Sequence, residues 1–385
     1  MERKMKFDMT RFDEVMIPFW EGDTVYDETV FFLGKDEKKT LLFDADEIIS
    51  VKSFDLTREF VQGKDYALED GKLVLLEGTE IPFTTEEEYY PEDATDFLVT
   101  NVNGVWKNTV WGEVSKIKAK QVAVTYRHSG KWNRFIAPDE SKKFERFISK
   151  LERGENVTVF YYGDSITAGA NASGRDRHEP FLPTWSELVT MGIAKKYGYT
   201  VHFLVTDFGN GSRLSKEDVS FGDRGVITMI NTAVGGWRVT DGIEKFEVHC
   251  ELFLRKYGCD LLVLAYGMND KKNAPEEEHA LVSKLAHMFL EYSDPDIMLV
   301  ATMLPNPDAN ERWNLNQKYF EAEFYALAEE LRAEGHRAAV APMTSTSAGV
   351  LERKLFRDWT GNNVNHPNDF MIRIYAATLL RTLLG

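Results

Sequence analysis

From Val157 to the C-terminus, the sequence alternates between short apolar runs and amphipathic helical patterns. The runs Val157–Tyr162, Asp260–Tyr266 and Asp296–Met303 have the length of buried strands. Longer helical patterns separate them, for example Pro275–Tyr292. This alternation predicts an α/β fold in which a parallel sheet carries helices on both faces.

A small nucleophile lies where the first of these strands ends. The stretch Val157–Ser173 reads VTVFYYGDSITAGANAS, so Ser165 follows the strand and opens a turn that contains glycine. Open α/β sheets bind their ligands at the carboxyl ends of strands, which makes Ser165 a candidate catalytic residue. Because Gly-Asp-Ser is also ordinary turn chemistry, this stretch alone does not distinguish a catalytic serine from a turn.

Three later stretches carry the other groups that hydrolysis through a serine requires. They read NTAVGGW at Asn231–Trp237, GMND at Gly267–Asp270 and NHPND at Asn365–Asp369. Such a reaction needs a base for the hydroxyl proton and donors aimed at the oxyanion that forms on the carbonyl. The asparagine of GMND follows a predicted strand, and the proline of NHPND favours an extended backbone at His366.

In this order and at these intervals, the four stretches resemble the sequence blocks of the SGNH, or GDSL-type, hydrolases. The resemblance covers Val157–Gly385 and implies a three-layer α/β/α, flavodoxin-like domain over residues 156–385. It implies that Ser165 is the nucleophile and His366 its general base. The resemblance also implies an oxyanion hole made of the backbone N–H groups of Ser165 and Gly236 and the side-chain amide of Asn269.

The sequence departs from this family at the acid that orients the base. The family usually has an Asp three residues before the histidine, whereas this chain has Asn363. Three arrangements remain open: the Asn363 amide orients His366, a backbone carbonyl does so in a Ser–His dyad, or Asp358 folds back to it. Asp358 also suits a structural role at a helix end. We predict that no charged partner at position 363 orients His366, so that Asp358→Asn retains at least about a tenth of the wild-type kcat.

Residues 1–138 have a different pattern, with short apolar runs separated by acidic or glycine-containing breaks. The clearest signal is Tyr66–Leu76, where Asp70-Gly71 joins two runs as a type I′ hairpin does. This pattern predicts a β-sandwich, jelly-roll-like domain that is carbohydrate-binding or structural. An amphipathic helix over residues 139–155 would link it to the C-terminal domain.

Several aromatic residues of the N-terminal region have two interpretations. Their faces suit the apolar faces of pyranose rings, which would make them a sugar-stacking platform, but core packing accounts for them as well. The residues are Trp106, Trp111, Tyr126 and Trp132.

Composition argues against several classes of function. The 385 residues include 46 Lys plus Arg against 62 Asp plus Glu, and the formal net charge of −16 disfavours nucleic acid and anionic membranes as partners. The start of the chain lacks the apolar core of a signal peptide, and no run is long enough to span a membrane, so a cytoplasmic protein is expected.

Cys250 and Cys259 are expected to be reduced core residues. The histidines show no metal-ligand spacing and no phosphate-binding glycine motif follows a strand, so no metal or cofactor is expected.

These observations predict a serine esterase that removes short acyl groups, acetyl first, through an acyl-enzyme. The order of a β-sandwich followed by an SGNH domain resembles carbohydrate esterases that deacetylate xylan or other glycans. Two alternatives remain: a lipase or lysophospholipase, and a non-catalytic glycan-binding protein with a vestigial site. The expected partner is a small-molecule or oligosaccharide ester, and the oligomeric state is left open.

Overall fold

The computed structural model describes residues 4–92, 96–113, 116–206 and 213–385. Short strands and two small helices make up the part of the chain before residue 128. These elements are α1 (Phe12–Met16), β1 (Thr24–Phe31), β2 (Glu47–Ser53), β3 (Glu59–Phe60), β4 (Tyr66–Glu69), β5 (Lys72–Leu75), α2 (Glu86–Tyr89), β6 (Val99–Val102), β7 (Val105–Asn108) and β8 (Gln121–Arg127).

A 3₁₀ turn at Ser141–Phe144 leads into α3 (Glu145–Glu152), so a helix lies within the expected range 139–155. Beyond it, strands and helices alternate. These elements are β9 (Val157–Gly163), α4 (Ser173–Asp176), α5 (Trp185–Tyr197), β10 (Thr200–Thr206), β11 (Arg213–Ser215), β12 (Val219–Ser220), β13 (Val226–Asn231), α6 (Val239–Glu244), α7 (Leu252–Tyr257), β14 (Leu261–Ala265), α8 (Pro275–Leu290), β15 (Asp296–Ala301), α9 (Phe320–Ala333), β16 (Arg337–Pro342), α10 (Met343–Leu351), α11 (Phe356–Trp359) and α12 (Asp369–Leu384).

The C-terminal strands form one sheet in the order β11-β10-β13-β9-β14-β15-β16, with β12 paired to β10. The parallel strands β13-β9-β14-β15-β16 have the order 2-1-3-4-5 of flavodoxin-like folds, and β10 adds another parallel strand beside β13. The predicted flavodoxin-like α/β fold of the C-terminal domain is therefore confirmed. In this order the direction of winding reverses between β9 and β14, which is where such sheets bind their ligands.

Successive residues of β9 point to opposite faces of the sheet. Val159 and Tyr161 belong to the hydrophobic core that includes residues of α5 and α12. Phe160 and Tyr162 belong to a second core, which includes residues of α8 and α9. All four side chains are fully buried. Because a shift by one residue would exchange the two faces, this packing fixes where β9 ends and where the following turn begins.

The expected β-sandwich is not confirmed. The described residues before position 138 form a four-stranded antiparallel sheet in the order β1-β8-β2-β3 and two separate hairpins, β4-β5 and β6-β7. The hairpin at Asp70-Gly71 is confirmed, and both turn residues have the positive φ, 48° and 73°, that a type I′ turn requires. Within the described residues, the N-terminal region thus has one four-stranded sheet and two separate two-stranded hairpins.

This small sheet packs directly on the C-terminal domain. One hydrophobic cluster contains Val30 of β1, Val124 of β8 and Ile374 of α12. Burial of this shared apolar surface stabilises both parts of the chain at once.

Two buried ion pairs also join the N-terminal and C-terminal parts. Lys39 Nζ lies 2.7 Å from the Asp358 carboxylate, and Lys354 Nζ lies 2.5 Å from Glu28. All four side chains are at most 2 % exposed, so loss of one partner would leave a buried charge uncompensated. The N-terminal region is therefore an integral part of the folded molecule.

The aromatic residues of the N-terminal region lie in different environments. Tyr126 is fully buried and its hydroxyl donates to Glu28, so core packing accounts for it. Trp132 packs partly buried against the same core. Trp106 is exposed on β7, and Trp111 stacks on another aromatic ring near the site described below.

Cys250 and Cys259 are both buried and unbridged, as predicted. Among the helices of the described ranges, none is both long and apolar enough to cross a bilayer.

Candidate active site

Ser165 lies two residues beyond the end of β9, in a tight turn that its neighbours hold in place. The Asp164 carboxylate accepts the backbone N–H of Ile166 at 2.9 Å. A Cβ at Gly163 would lie 2.3 Å from the carbonyl oxygen of Ala265, so a side chain at this position would push β9 away from β14. Glycine therefore allows the close approach that places Ser165 at the switch point of the sheet.

His366 lies on the loop between α11 and α12, with its ring directed at the serine. His366 Nε2 is 2.9 Å from Ser165 Oγ. The loop is fixed by its own hydrogen bonds, since the His366 N–H donates to Asn362 Oδ1 at 3.1 Å and its carbonyl accepts from Gly361 at 2.8 Å. The structure thus brings the predicted nucleophile and base into a geometry that permits proton transfer.

The other ring nitrogen of His366 faces a carboxylate from the N-terminal region. Glu113 Oε1 lies 3.3 Å from His366 Nδ1, and Asn171 Nδ2 lies 3.2 Å from the same nitrogen. Partial burial alone would raise the pKa of the Glu113 carboxyl. The hydrogen bond from His366 and its charge outweigh burial, and hydrogen bonds from Asn171 and Asn362 add to them, so the pKa of Glu113 is lowered. Glu113 is therefore ionised beside the imidazole.

The segment that ends at Glu113 is docked on the loop that precedes α12. The N–H of Gly112 donates to the Asn362 carbonyl at 3.2 Å. Asn363 Nδ2 donates to the Val110 carbonyl at 2.9 Å. The side chain at the position of the family's usual acid thus binds the N-terminal region, and among the described residues no hydrogen bond joins it to the imidazole of His366.

Asp358 lies in α11, and its carboxylate is occupied elsewhere. It accepts the backbone N–H of Phe31 at 2.8 Å and pairs with Lys39. Burial acts to raise the pKa of Asp358, but the charges of Lys39, Lys354 and a neighbouring arginine lower it. Within the described ranges, no hydrogen bond or ion pair links Asp358 to His366. The structure therefore gives Asp358 a place in the contact between the two parts of the chain and does not bring it to the base.

The two predicted oxyanion-hole residues lie beyond β13 and β14, the neighbours of β9 in the sheet. Gly236 has a φ of 78°, a conformation that favours glycine. Asn269 Nδ2 donates to the carbonyl of Trp237 at 2.9 Å, which fixes the amide beside the glycine turn. Because an amide nitrogen carries two hydrogens, the second is available to a substrate oxygen.

Asp270 links the segment after Gly236 to the turn that carries Asn269 through hydrogen bonds. Its carboxylate accepts the N–H of Val239 at 3.0 Å and that of Gly267 at 3.1 Å. Burial raises the pKa of Asp270, and the charge of Asp164 raises it further. Burial likewise raises the pKa of Asp164 to about 6. The acidic residues of the GDS and GMND stretches therefore accept backbone N–H groups of the turns that carry Ser165 and Asn269.

Beyond Asn269 the site opens into a cavity of about 610 Å³. Its walls carry several cationic side chains and one indole ring. These residues are Arg238, Lys271, Lys272, Arg312 and Trp313. In the parts of the chain that the structure describes, no group of three His, Cys, Asp or Glu side chains is arranged to hold a metal ion.

The sequence reasoning did not single out Glu113 or Asn171. Glu113 lies about 250 residues before His366 and outside the four blocks, so no spacing signals it. The sequence gives one indirect indication that another residue faces His366: Asn363 occupies the position where the family usually has an aspartate. Asn171 stands in the same stretch as Ser165, but an asparagine after a turn is too common to signal a role.

The C-terminal part of the chain matches a known protein family. Residues 159–374, more than half of the chain, match the family model described as GDSL-like lipase/acylhydrolase. No curated protein sequence matches the chain.

Solved structures are similar at low sequence identity. A two-domain esterase active on acetylated mannans, co-crystallised with mannopentaose, shows 15 % identity and a TM-score of 0.43, with 63 % of this chain and 53 % of that chain covered. A catalytic mutant of an acetylxylan esterase from Geobacillus stearothermophilus shows 15 % identity and a TM-score of 0.41, with coverages of 59 % and 94 %. A lipase/acylhydrolase from Enterococcus faecalis shows 17 % identity and a TM-score of 0.37, with coverages of 58 % and 94 %. The chain thus spans about half the length of the first of these proteins.

Proposed function

This chain belongs to the GDSL-like lipase/acylhydrolase family of carboxylic ester hydrolases, and on that premise we propose that it removes short acyl groups, acetyl first, from carbohydrate hydroxyls. Ser165 is the nucleophile and His366 its base. The observation that carries this proposal is the 2.9 Å contact between Ser165 Oγ and His366 Nε2 at the switch point of the sheet. A vestigial binding site would not need this pair to be aligned.

Acylation proceeds by attack of Ser165 Oγ on the ester carbonyl while His366 Nε2 takes the hydroxyl proton. The carbonyl oxygen becomes an oxyanion and accepts hydrogen bonds from the N–H groups of Ser165 and Gly236 and from the Asn269 amide. When the intermediate collapses, the sugar oxygen leaves with the proton from the imidazolium. The acyl group remains on Ser165.

Deacylation repeats these steps with water. His366 takes a proton from a water molecule, whose oxygen attacks the acyl carbonyl. The same donors receive the second oxyanion. The intermediate collapses to the carboxylic acid, which leaves and gives its remaining proton to solvent, while the proton on His366 passes to Ser165 Oγ and regenerates the enzyme.

The cavity beside Asn269 supports a polar alcohol over a long acyl chain. Its lining includes the charged side chain of Lys271 and the amide of Asn273. Trp313 offers an aromatic face of the kind that packs on pyranose rings. A long alkyl chain gains about 0.8 kcal/mol for each buried CH₂ group only against apolar walls.

The test combines active-site labelling with a panel of esters. A fluorophosphonate probe should label the wild-type protein, and Ser165→Ala should lose both labelling and about 10⁶ in kcat. Ser149→Ala, on α3, serves as the matched control and should retain both. Labelling that persists in Ser165→Ala would contradict the assignment of the nucleophile.

The panel then addresses the substrate. Acetylated xylo-oligosaccharides and p-nitrophenyl acetate should be cleaved much faster than p-nitrophenyl octanoate. If kcat/KM instead rises steadily from acetyl to octanoyl esters, the protein is a lipase-type acylhydrolase and the carbohydrate proposal is wrong.

A further inference from the structure

The carboxylate that faces His366 comes from a part of the chain outside the family's blocks. The family model begins at residue 159, whereas Glu113 belongs to the N-terminal region. Glu113 Oε1 lies 3.3 Å from His366 Nδ1, while the other ring nitrogen contacts Ser165 Oγ at 2.9 Å. We propose that Glu113 completes a Ser165–His366–Glu113 triad as the residue that positions the base. This inference rests on the proposed esterase function.

A carboxylate at Nδ1 performs two tasks for the base. It keeps the imidazole proton on Nδ1, so that Nε2 is left as the acceptor for the Ser165 proton. Its negative charge also stabilises the imidazolium that forms during each attack. Glu113 acts through His366 and does not touch the reacting atoms.

The loop residues around the base fit this assignment. Asn363, at the usual place of the acid, donates to the Val110 carbonyl and so holds the segment that leads to Glu113. Asn362 Nδ2 approaches the Glu113 carboxylate to 3.5 Å, and the Asn171 amide donates to it as well. The loss of one carboxylate near His366 is therefore accompanied by contacts that bring in another.

Two ionisable groups face His366 from the described residues packed around it, Glu113 and Asp164. Burial raises the pKa of Asp164 to about 6, and its carboxylate is bound to the N–H of Ile166. Glu113 has a lowered pKa and lies against Nδ1. Glu113, and not Asp164, is therefore the carboxylate placed to pair with His366 Nδ1.

The first test removes the negative charge of Glu113 while keeping the shape of its side chain. Glu113→Gln should lower kcat by about 10²–10⁴, where the upper value is the loss for Asp→Asn in a chymotrypsin-type triad. The acid limb of the kcat/KM profile should move to lower pH, because the imidazolium loses its anionic partner. Glu113→Asp should retain more activity than Glu113→Gln. Glu87→Gln, an exposed change on α2, should alter neither quantity.

Chemical rescue and labelling separate positioning from folding. The Glu113 side chain is 58 % exposed, so formate should reach the space left in Glu113→Ala and restore part of its rate of fluorophosphonate labelling. An unchanged Tm would show that the fold is intact. If Glu113→Gln stays within about twofold of the wild type while Ser165→Ala is inactive, the triad is wrong and the esterase function stands. If Ser165 is never labelled in the wild type, the proposed function itself fails.

A second feature, independent of the triad, is the charge of the cavity beside Asn269. The chain has a formal net charge of −16, yet the cationic side chains of Arg238, Lys271, Lys272 and Arg312 line this one cavity. Its carboxylates are Glu311 and Asp270, and the latter is bound to backbone N–H groups of its own turn.

One of these cations has an acidic partner, since Arg238 Nε lies 3.8 Å from the Asp241 carboxylate. Among the described residues, no carboxylate lies within 4.0 Å of Lys271, Lys272 or Arg312. Burial lowers the pKa of Lys271, and the like charges of Lys272 and Arg312 lower it further. An anion in the cavity would reduce the repulsion among these like charges. It would also form charge-assisted hydrogen bonds with the cationic side chains, and such bonds are stronger than hydrogen bonds between neutral groups.

An aromatic ring is held among the same cations. The Trp313 indole N–H donates to the Phe97 carbonyl at 2.7 Å, which fixes the ring. Lys271 Nζ lies 4.6 Å from the ring centroid, and the Arg312 guanidinium lies 5.5 Å from it. A sugar ring on Trp313 would therefore bring its substituents close to two cations.

We infer that this cavity binds an anionic group, carboxylate or phosphate, on the sugar that carries the ester. This inference also rests on the proposed function. Acetylated methyl glucoside, acetylated methyl glucuronide and acetylated glucose 6-phosphate provide neutral, carboxylate and phosphate members of one series. The wild type should prefer one anionic member by about tenfold or more in kcat/KM. The better of the two identifies the anion, and the preference should shrink as NaCl is added.

Two variants test the residues. Lys271→Gln with Arg312→Gln should lower the ratio of anionic to neutral kcat/KM by about tenfold, whereas Lys284→Gln, an exposed change on α8, should not. A binding measurement that needs no hydrolysis uses the inactive Ser165→Ala protein with free glucuronate and glucose 6-phosphate. Binding that weakens in the double variant supports the cavity even if no ester is cleaved. A wild type that prefers the neutral ester, or a ratio unchanged by the double variant, overturns it.

Discussion

Asn363 Nδ2 lies 2.9 Å from the carbonyl oxygen of Val110, so a residue of the loop that carries the candidate base is bonded to the N-terminal region. This position has an asparagine where the family usually has an acid, and its amide binds another part of the chain. The amide fastens the segment that presents Glu113, and Glu113 faces His366 from the other side. The N-terminal region thus contributes to the candidate site as well as to the shared core.

Asn269→Ala should lower kcat by about 10²–10³ and leave KM nearly unchanged, because the amide serves as a donor mainly in the transition state. Steady-state kinetics on an acetyl ester provide the measurement. Asn133→Ala, an exposed change far from the blocks, should behave as the wild type. A change confined to KM would make Asn269 a residue that binds the substrate in its ground state.

Much of the C-terminal domain is predictable from local pattern. Phe160 and Tyr162 lie on one face of β9 and Val159 and Tyr161 on the other, and a continuous apolar run is what a strand covered on both faces requires. Because the carboxyl ends of parallel strands meet at one edge, residues after different strands were expected to converge there.

The N-terminal region and the acid could not be predicted in the same way. Short apolar runs predict strands but not their partners, so the sequence could predict strands before residue 138 but not their pairing as the sheet β1-β8-β2-β3 and two hairpins. The approach of Glu113 to His366 depends on tertiary packing between segments about 250 residues apart. Local propensity carries no information on such a contact.

Gly361→Ala should impair catalysis through Asn171. A Cβ at position 361 would lie 2.4 Å from the Asn171 side chain, so the amide beside Glu113 and His366 must move. We expect kcat to fall by about tenfold or more, since small displacements of positioning groups are costly. In Gly349→Ala the new Cβ would have its nearest neighbour at 3.6 Å, an ordinary contact, and this variant is the control.

A double-mutant cycle checks that pathway. Asn171→Gly, which removes both the amide and the Cβ that a side chain at position 361 would meet, should lose a similar factor in kcat, and the double variant should lose little more than either single change. Additive losses would show that Gly361 acts on the site by another route.

Asp358→Asn should destabilise the fold by up to about 3–5 kcal/mol at pH 7, because it removes the carboxylate 2.7 Å from the buried Lys39 ammonium and leaves that ammonium with Glu37 at 3.4 Å. The pKa of Asp358 is lowered in the folded state, so its stabilisation is present above the unfolded pKa and is lost as pH falls through the folded pKa. Urea unfolding at pH 7 and at pH 3 measures both. Glu47→Gln, in an exposed pair with Arg127, should cost less than about 1 kcal/mol.

The same variant tests the role of Asp358 in catalysis. At temperatures where the protein stays folded, Asp358→Asn should keep at least about a tenth of the wild-type kcat. A loss near 10⁴ with an intact fold would instead make Asp358 the acid that orients His366.

Asp164→Asn should change how stability depends on pH. Burial raises the pKa of Asp164 from 3.8 to about 6, so the folded state holds a proton that the unfolded state releases between these values. The stabilisation from this group is complete below the unfolded pKa and is lost as pH rises through about 6. Relative to Asp164→Asn, whose amide keeps the acceptor for Ile166, the wild type should therefore lose up to about 3 kcal/mol between pH 4 and pH 7. Urea unfolding of both proteins across this range gives the difference directly. Parallel curves would show that Asp164 is already ionised in the folded protein, with its charge held by the N–H groups of the turn that carries Ser165.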